Sequence, residues 1–241
     1  MKVLISKNSK YVLDDDVKEI NTKDGIIKID DKKEILESHL GIKFSVCEPN
    51  LLDILSKLKR GPQAILPKDG MIILAYTGIK QGSIILEAGT GNAFLTIQFA
   101  WYLKPCKIYT FEKDKRFYNI AKSNIKKAGL EEYIELINDS VFEYKKYLNQ
   151  EKFDLIFLDL DSSKDFICHA FELLKNGGYL CIFCPVVDTL VKNVEEVKKY
   201  NFFDIKVIES FVREWQVEYY LRPRTIGIVH TGFIIIARKI Y

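Results

Sequence analysis

Between Ser83 and Glu112 the chain reads Ser-Ile-Ile-Leu-Glu-Ala-Gly-Thr-Gly-Asn-Ala-Phe-Leu-Thr and runs on to Tyr-Thr-Phe-Glu, and this stretch limits the fold more than any other. Ser83 to Leu86 is a short apolar run of the kind that forms a strand buried on both faces. Gly89 and Gly91 follow at once, and Asn92 to Leu103 reads as a helix. The two glycines allow a tight reversal and let a ligand come up against bare backbone. A second strand, Lys107 to Phe111, ends in Glu112, about twenty residues on, where an acidic side chain can accept hydrogen bonds from ribose hydroxyls. Strand, glycine turn, helix and strand make half of a nucleotide-binding βαβ unit.

The turn is Glu87-x-Gly89-x-Gly91 with a small residue, Ala93, two places further on, rather than Gly-x-Gly-x-x-Gly. A pyrophosphate favours the longer form at a free helix N-terminus. The shorter turn with an acid before it suits a cationic ligand, so S-adenosylmethionine, with its sulfonium and ammonium, is expected in preference to NAD.

Beyond this unit strands and helices alternate, as in a parallel sheet covered on both faces. A helix follows Asp114, and Tyr133 to Ile137 is a strand ending in Asn138-Asp139. Phe153 to Leu158 is the next, ending in Asp159, followed by a helix to Lys175 closed by Gly177-Gly178. Tyr179 to Phe183 is a fifth strand and Val191 to Tyr200 a helix. Phe203 to Phe211 and Thr231 to Ala237 have no helical pattern between them and are expected as an antiparallel pair at the sheet edge. Glu87, Glu112, Asp139 and Asp159 all fall at or just past the C-terminal ends of strands, where ligands bind in open α/β sheets. One such carboxylate is most simply a helix cap; four at equivalent places make a site. Asp139 is placed for an adenine amino group and Glu112 for the ribose.

The first 48 residues differ. Val3 to Ile5, Tyr11 to Leu13 and Ile26 to Ile29 are short β-prone runs separated by turn signals, and Lys32 to Glu37 reads as a turn or a partial helix. The expected organisation is a β-rich domain over 1–48, a helix and linker over 49–69, and an α/β domain over 70–241. Within the linker Pro49 to Arg60 reads as a helix, and two prolines and a glycine over 61–69 forbid regular structure. Asp69 is expected to cap the helix Gly70 to Thr77.

A net charge of +3 on 241 residues permits a nucleic-acid partner without demanding one. No apolar stretch approaches a membrane span, and Met1 to Lys7 is too short and polar for a signal peptide, so a cytoplasmic location is expected. Cys181 and Cys184 are spaced like one half of a zinc site, but residues three apart on a strand point to opposite faces, so buried core thiols are expected. His39, His169 and His230 are scattered, and no metal site is expected. Trp215, Tyr219 and Tyr220 can stack on bases or pack in an interface, and Arg213, Arg222 and Arg224 can meet phosphates or pair with Glu214 and Glu218.

Lys-Arg-Gly-Pro-Gln-Ala-Ile-Leu-Pro-Lys-Asp (59–69), Leu-Glu-Ala-Gly-Thr-Gly (86–91), Arg-Glu-Trp-Gln-Val (213–217), Arg222-Pro223 and His230-Thr231-Gly232-Phe233 together resemble the tRNA (adenine-N1)-methyltransferase family, in order and over nearly the whole chain. The resemblance implies a class I S-adenosylmethionine-dependent methyltransferase fold, Rossmann-like, with a small N-terminal β domain. It also implies a homotetramer and methylation of adenine N1 in the tRNA T-loop at position 58, in archaeal members also 57. It carries cofactor contacts onto Gln63, Glu87, Gly89, Gly91, Asn92, Ala93, Glu112, Asp139 and Asp159, and catalytic roles onto Asp159 and His230. Departures gather around the base pocket: Asn92-Ala93 for Ser-Gly, Leu66 for a tyrosine, Leu160 to Ser163 without the acidic-proline stretch, and Asp188-Thr189 for Thr-Gln. Two alternatives stay open, another class I methyltransferase acting on protein or a corrinoid precursor, and a tRNA-binding subunit without chemistry. Asp159 itself could cap the next helix or orient the cofactor's ammonium.

Overall fold

A computed structural model describes residues 1–61, 64–218, 220–225, 227 and 230–241. The chain divides into two compact units, Met1–Leu58 and Lys59–Tyr241. No described helix is long and apolar enough to cross a membrane.

The first unit contains β1 (Lys2–Ile5), β2 (Lys10–Leu13), β3 (Glu19–Thr22), β4 (Gly25–Lys28), β5 (Ile35–Glu37), β6 (Lys43–Cys47) and α1 (Leu51–Lys57). Four strands form an antiparallel sheet in the order β2-β1-β6-β5, and β3 and β4 form a separate hairpin. Leu4, Leu13, Ile27, Leu36 and Phe44 make its core. The Lys32 to Glu37 segment is neither a turn throughout nor a helix. Its last three residues are β5, whose alternation buries Leu36 opposite Phe44. The pairing with β6 that decides this is non-local and leaves no local signal. α1 is shorter than the run from Pro49 to Arg60, because Asn50 and Asp53 form a reciprocal capping box at its start. This helix falls in the first unit, whereas its sequence had set it apart with the linker.

The second unit runs α2 (Pro67–Thr77), β7 (Ile84–Ala88), α3 (Phe94–Leu103), β8 (Lys107–Phe111), α4 (Lys115–Ala128), β9 (Ile134–Ile137), β10 (Phe153–Leu158), α5 (Ser163–Leu173), β11 (Leu174–Cys184), α6 (Val187–Val197), β12 (Phe202–Ile208), the short pair β13 (Trp215–Gln216) and β14 (Arg222–Pro223), and β15 (Phe233–Lys239). Seven strands form one sheet in the order β12-β15-β11-β10-β7-β8-β9. The five from β11 to β9 are mutually parallel, and β15 runs antiparallel to both β11 and β12, which occupies the edge. This is the α/β fold with an antiparallel edge pair expected from the sequence. Leu86, Ile156, Leu158, Leu180 and Ile182 fill the sheet's core together with Phe166, Ile167 and Ala170 of α5. Phe94 to Ala100 are all buried, so α3 is a helix apolar nearly all round.

Three boundaries move. Asp69 is not the cap of α2: the helix starts at Pro67, with Leu66 before it, because a proline's missing N–H costs nothing at the first helical position. Strand β11 begins at Leu174, so Gly177-Gly178 lies within a strand that pairs irregularly with β10 rather than closing a helix. Helix α6 begins at Val187, four residues before the expected Val191.

Candidate active site

The turn between β7 and α3 is built around Gly89. Its φ is +88°, and a Cβ there would sit 2.2 Å from the Asp159 carbonyl oxygen, so only glycine lets β7 and β10 end this close together. The Asp159 amide donates to the Ala88 carbonyl at 2.9 Å, continuing the parallel ladder to the cleft floor. Ala93, fully buried, also takes a left-handed φ of +64°, a strain on the order of 1 kcal/mol that glycine would avoid. Asn92 bridges the turn: its side-chain oxygen accepts from the Phe94 amide at 3.2 Å, and its carbonyl accepts from Asn124 of α4.

Two cavities open along this turn. One, of about 240 Å³, is walled by Ile65, Glu87, Thr90, Asn92, Leu95 and Phe157; the other, of about 360 Å³, by Lys113, Asp139, Phe142, Asp161, Phe183 and Thr189. Gly89, Glu112 and Asp159 belong to both. The strand-end carboxylates are held in different ways. Glu87 is buried and accepts from Thr96 and, at 2.6 Å, from Thr110, whose hydroxyl is bonded in turn to Thr90. Glu112 accepts the Gly91 amide on one oxygen and the Asp114 amide on the other, both at 2.8 Å. Asp139 accepts from the Ser140 amide at 2.7 Å and the Tyr147 hydroxyl at 2.9 Å, and these bonds hold its carboxyl below the usual range. The threonines and Tyr147 had no motif to reveal them, since their roles depend on strand register.

Burial and negative neighbours raise two of the four. Glu87 is pushed up to about 7, first by desolvation, against the pull of its threonine bonds. Asp159 is pushed up to about 7 by desolvation and by the charges of Asp161 and Glu112. A cleft of crowded carboxylates stabilises a cation and repels a pyrophosphate. The Asn92 side-chain nitrogen is also buried there without a hydrogen-bond partner, a donor that a ligand acceptor would satisfy. S-adenosylmethionine fits this donor set, its cationic groups toward the carboxylates.

Residues 49–239 match the family described as the tRNA methyltransferase complex GCD14 subunit. The chain belongs to this family. It is 31% identical to the tRNA (adenine(57)-N(1)/adenine(58)-N(1))-methyltransferase TrmI of Methanocaldococcus jannaschii, over 98% of this chain and 94% of that protein. Among solved structures it is similar to a SAM-dependent O-methyltransferase from Thermotoga maritima, with a TM-score of 0.84, 27% identity, and coverage of 100% of this chain and 92% of that one. The tRNA (m1A58) methyltransferase TrmI of Aquifex aeolicus shares the fold, with a TM-score of 0.80 at 22% identity, over 100% of this chain and 96% of that one.

The outer motifs of this GCD14-family chain meet away from the cleft floor. Asp69, buried in the first turn of α2, accepts from Lys68 at 2.8 Å, Ser210 at 2.6 Å and Thr231 at 3.0 Å. The Lys68 ammonium also reaches the Thr231 hydroxyl at 2.6 Å and the Ser210 carbonyl at 2.9 Å. Gly232 makes room for this: a Cβ would lie 2.5 Å from the Phe183 ring. The buried Lys68–Asp69 ion pair of the Pro-Lys-Asp motif is thus hydrogen-bonded to Thr231 of the His-Thr-Gly motif, tying α2 to the segment just before β15. His230 lines neither cavity. Its Nδ1 meets the Glu209 carboxylate and its Nε2 the Pro185 carbonyl at 3.3 Å, and both acceptors raise its pKa. Both ring nitrogens thus face oxygen acceptors. Gln63 and Tyr219 lie outside the described residues. Trp215 and Tyr220 are exposed, and Arg224 pairs with Glu214 at 3.3 Å. His39 accepts from the Ile26 amide and His169 packs on Phe166, both structural roles.

Proposed function

We propose that the chain transfers a methyl group from S-adenosylmethionine to N1 of an adenine in the tRNA T-loop, at position 58 and, as in the Methanocaldococcus relative's name, also 57. The observation that carries this is Asp159, shared by both cavities and crowded by Asp161 and Glu112, in a chain of the GCD14 family. When bound, S-adenosylmethionine supplies an electrophilic methyl group on a positively charged sulfur. Glu112 holds the ribose hydroxyls with the lone pairs left over from its two amide bonds, and Asp139 takes the cofactor's adenine amino group. Glu87, Asn92 and the backbone of Gly89, Gly91 and Ala93 receive the amino-acid end. At the Phe183, Pro185 and Thr189 end of the second cavity the target adenine would offer N1, whose in-plane lone pair would form the new bond to the methyl carbon as the bond from that carbon to sulfur breaks, so no covalent enzyme intermediate is needed. As N1 gains positive charge its N6 amino group becomes acidic. Asp159 accepts a hydrogen bond from N6, stabilises that charge and holds the ring in line with the methyl group. A carboxyl pushed up to about 7 is a better acceptor for that proton than an ordinary one. His230 is a positioning residue, holding the Pro185 carbonyl at the rim of this cavity.

The protein works in the cytoplasm as a homotetramer in this reading, which rests on the family resemblance. Phe211, Val212, Val217, Tyr220 and Leu221 are each more than half exposed, and apolar side chains left open along one stretch of chain support burial in an assembly. Incubation with labelled S-adenosylmethionine and bulk tRNA, then nucleoside analysis, tests the function. 1-Methyladenosine is the expected product. A ribose-methylated or N6-methylated nucleoside, or label in protein alone, would overturn it.

A further inference from the structure

The charge on the helices is divided between the two faces of the sheet. Helix α4 carries Lys115, Arg116, Lys122, Lys126 and Lys127 and no acid. Helices α5 and α6, which pack against each other, carry Lys164 and Lys192 against Asp165, Glu172, Asp188, Glu195 and Glu196. The β8-to-β9 and β10-to-β11 connections step in opposite directions across the sheet. With right-handed crossovers they place α4 on one face and α5 on the other. One face of the sheet therefore carries a cationic helix and the other an acidic pair.

On α4 the cations form a line. Lys115, Asn119, Lys122 and Lys126 recur at helical spacing, so they share one stripe about 16 Å long, and all four are exposed. Among the described residues no carboxylate pairs with Lys115, Lys122 or Lys126. Arg116 is different, since Asp114 holds it at 2.7 Å. The stripe begins at the cleft: Lys113, exposed and just ahead of α4, lines the second cavity beside Asp139 and Asp159. Of the acids that follow the helix, Glu131 lines a shallow groove together with Lys122 and Lys126 but forms no ion pair with either. Exposed lysines left without ion-pair partners, along a line that ends at a cleft, match a chain of phosphates, which lose bound counterions on contact.

We propose that the Lys113, Lys115, Lys122 and Lys126 stripe is the track along which the tRNA sugar–phosphate backbone lies as its target adenine enters the cleft, while the acidic α5–α6 face repels it. This rests on tRNA being the substrate. The test compares the full-length protein with Lys115→Gln/Lys122→Gln/Lys126→Gln and with Lys164→Gln/Lys192→Gln on the other face. Each is assayed for tRNA methylation and tRNA binding from low to high salt, with cofactor affinity and melting temperature as controls. The α4 triple variant should raise KM for tRNA roughly tenfold to thirtyfold with little change in kcat. It should also flatten the plot of log affinity against log salt by about 2, the loss of three phosphate contacts. Cofactor affinity should hold, and the α5–α6 variant should match the parent or bind slightly worse. If the parent methylates tRNA and the α4 variant keeps the parent's KM and salt slope, the track is wrong and the function stands. A parent that neither binds nor methylates tRNA overturns both.

Discussion

Asp159 and Glu87 are the two side chains whose environments ask most of them. In the proposed mechanism the Asp159 carboxylate is the working form, and burial raises its pKa to about 7. Therefore kcat/KM for tRNA should rise with pH through about 7 and level off above it, because this ratio reports the groups of the enzyme before the tRNA binds. Asp159→Ala should keep the fold and cofactor affinity while turnover falls about a hundredfold, the scale of losing one pre-organised electrostatic partner. Initial rates from pH 5.5 to 9 check both, and an alanine variant as fast as the parent would exclude the carboxylate from the chemistry. For Glu87 the sign is a stability cost. Its folded pKa lies above the ordinary 4.5, so the native state binds its proton more tightly than the unfolded chain does. The cost is absent below about 4.5 and grows until the pH passes about 7, to on the order of 3 kcal/mol. Glu87→Gln can still accept from Thr96 and Thr110 and carries no charge. Without cofactor it should melt above the parent at pH 8, with the gap closing near pH 4.5. A lower melting point at pH 8 would mean the threonine bonds outweigh the burial penalty.

Among the elements, α2 is joined to the segment just before β15 by a buried polar cluster. The Lys68–Asp69 pair is buried, and Ser210 and Thr231 use the remaining hydrogen-bonding positions. Removing only one partner leaves an uncompensated charge, so Asp69→Ala should cost about 3 to 5 kcal/mol in denaturant unfolding. Adding Lys68→Met should recover part of that loss. If the double variant is as unstable as the single one, the cost comes from packing at the helix start rather than from the stranded ammonium. The cofactor turn is also fixed at this scale. Gly89 is needed because β10 ends against it, and Asn92 is locked because α4 reaches back to it through Asn124.

Across the whole molecule, the cleft lies where the strand order reverses, β7 continuing to β8 on one side while β10 lies on the other. That is the topological switch point at which open α/β sheets bind ligands. The exposed apolar side chains of Phe211, Val212, Val217, Tyr220 and Leu221 lie at the other extreme of burial. A homotetramer is expected, and light scattering should give four times the 28.0 kDa of one chain. A monomer at micromolar concentration would count against the assembly.

Sequence alone was enough for the α/β alternation, the glycine turn and the four strand-end carboxylates. These follow from local rules: apolar runs of strand length, glycines where φ is positive, and acids just past strand ends. The family motifs were legible too, yet their arrangement was not. Nothing local tells that Asp69 accepts from Ser210 and Thr231 instead of capping a helix, since those two partners lie more than 140 residues away. Nor could spacing show that Thr96 and Thr110 hold Glu87, or that residues 35–37 form a strand, because both depend on which strands lie side by side. The raised pKa values of Glu87 and Asp159 belong wholly to the tertiary structure. A carboxyl changes its proton affinity only when folding removes water and brings other charges beside it.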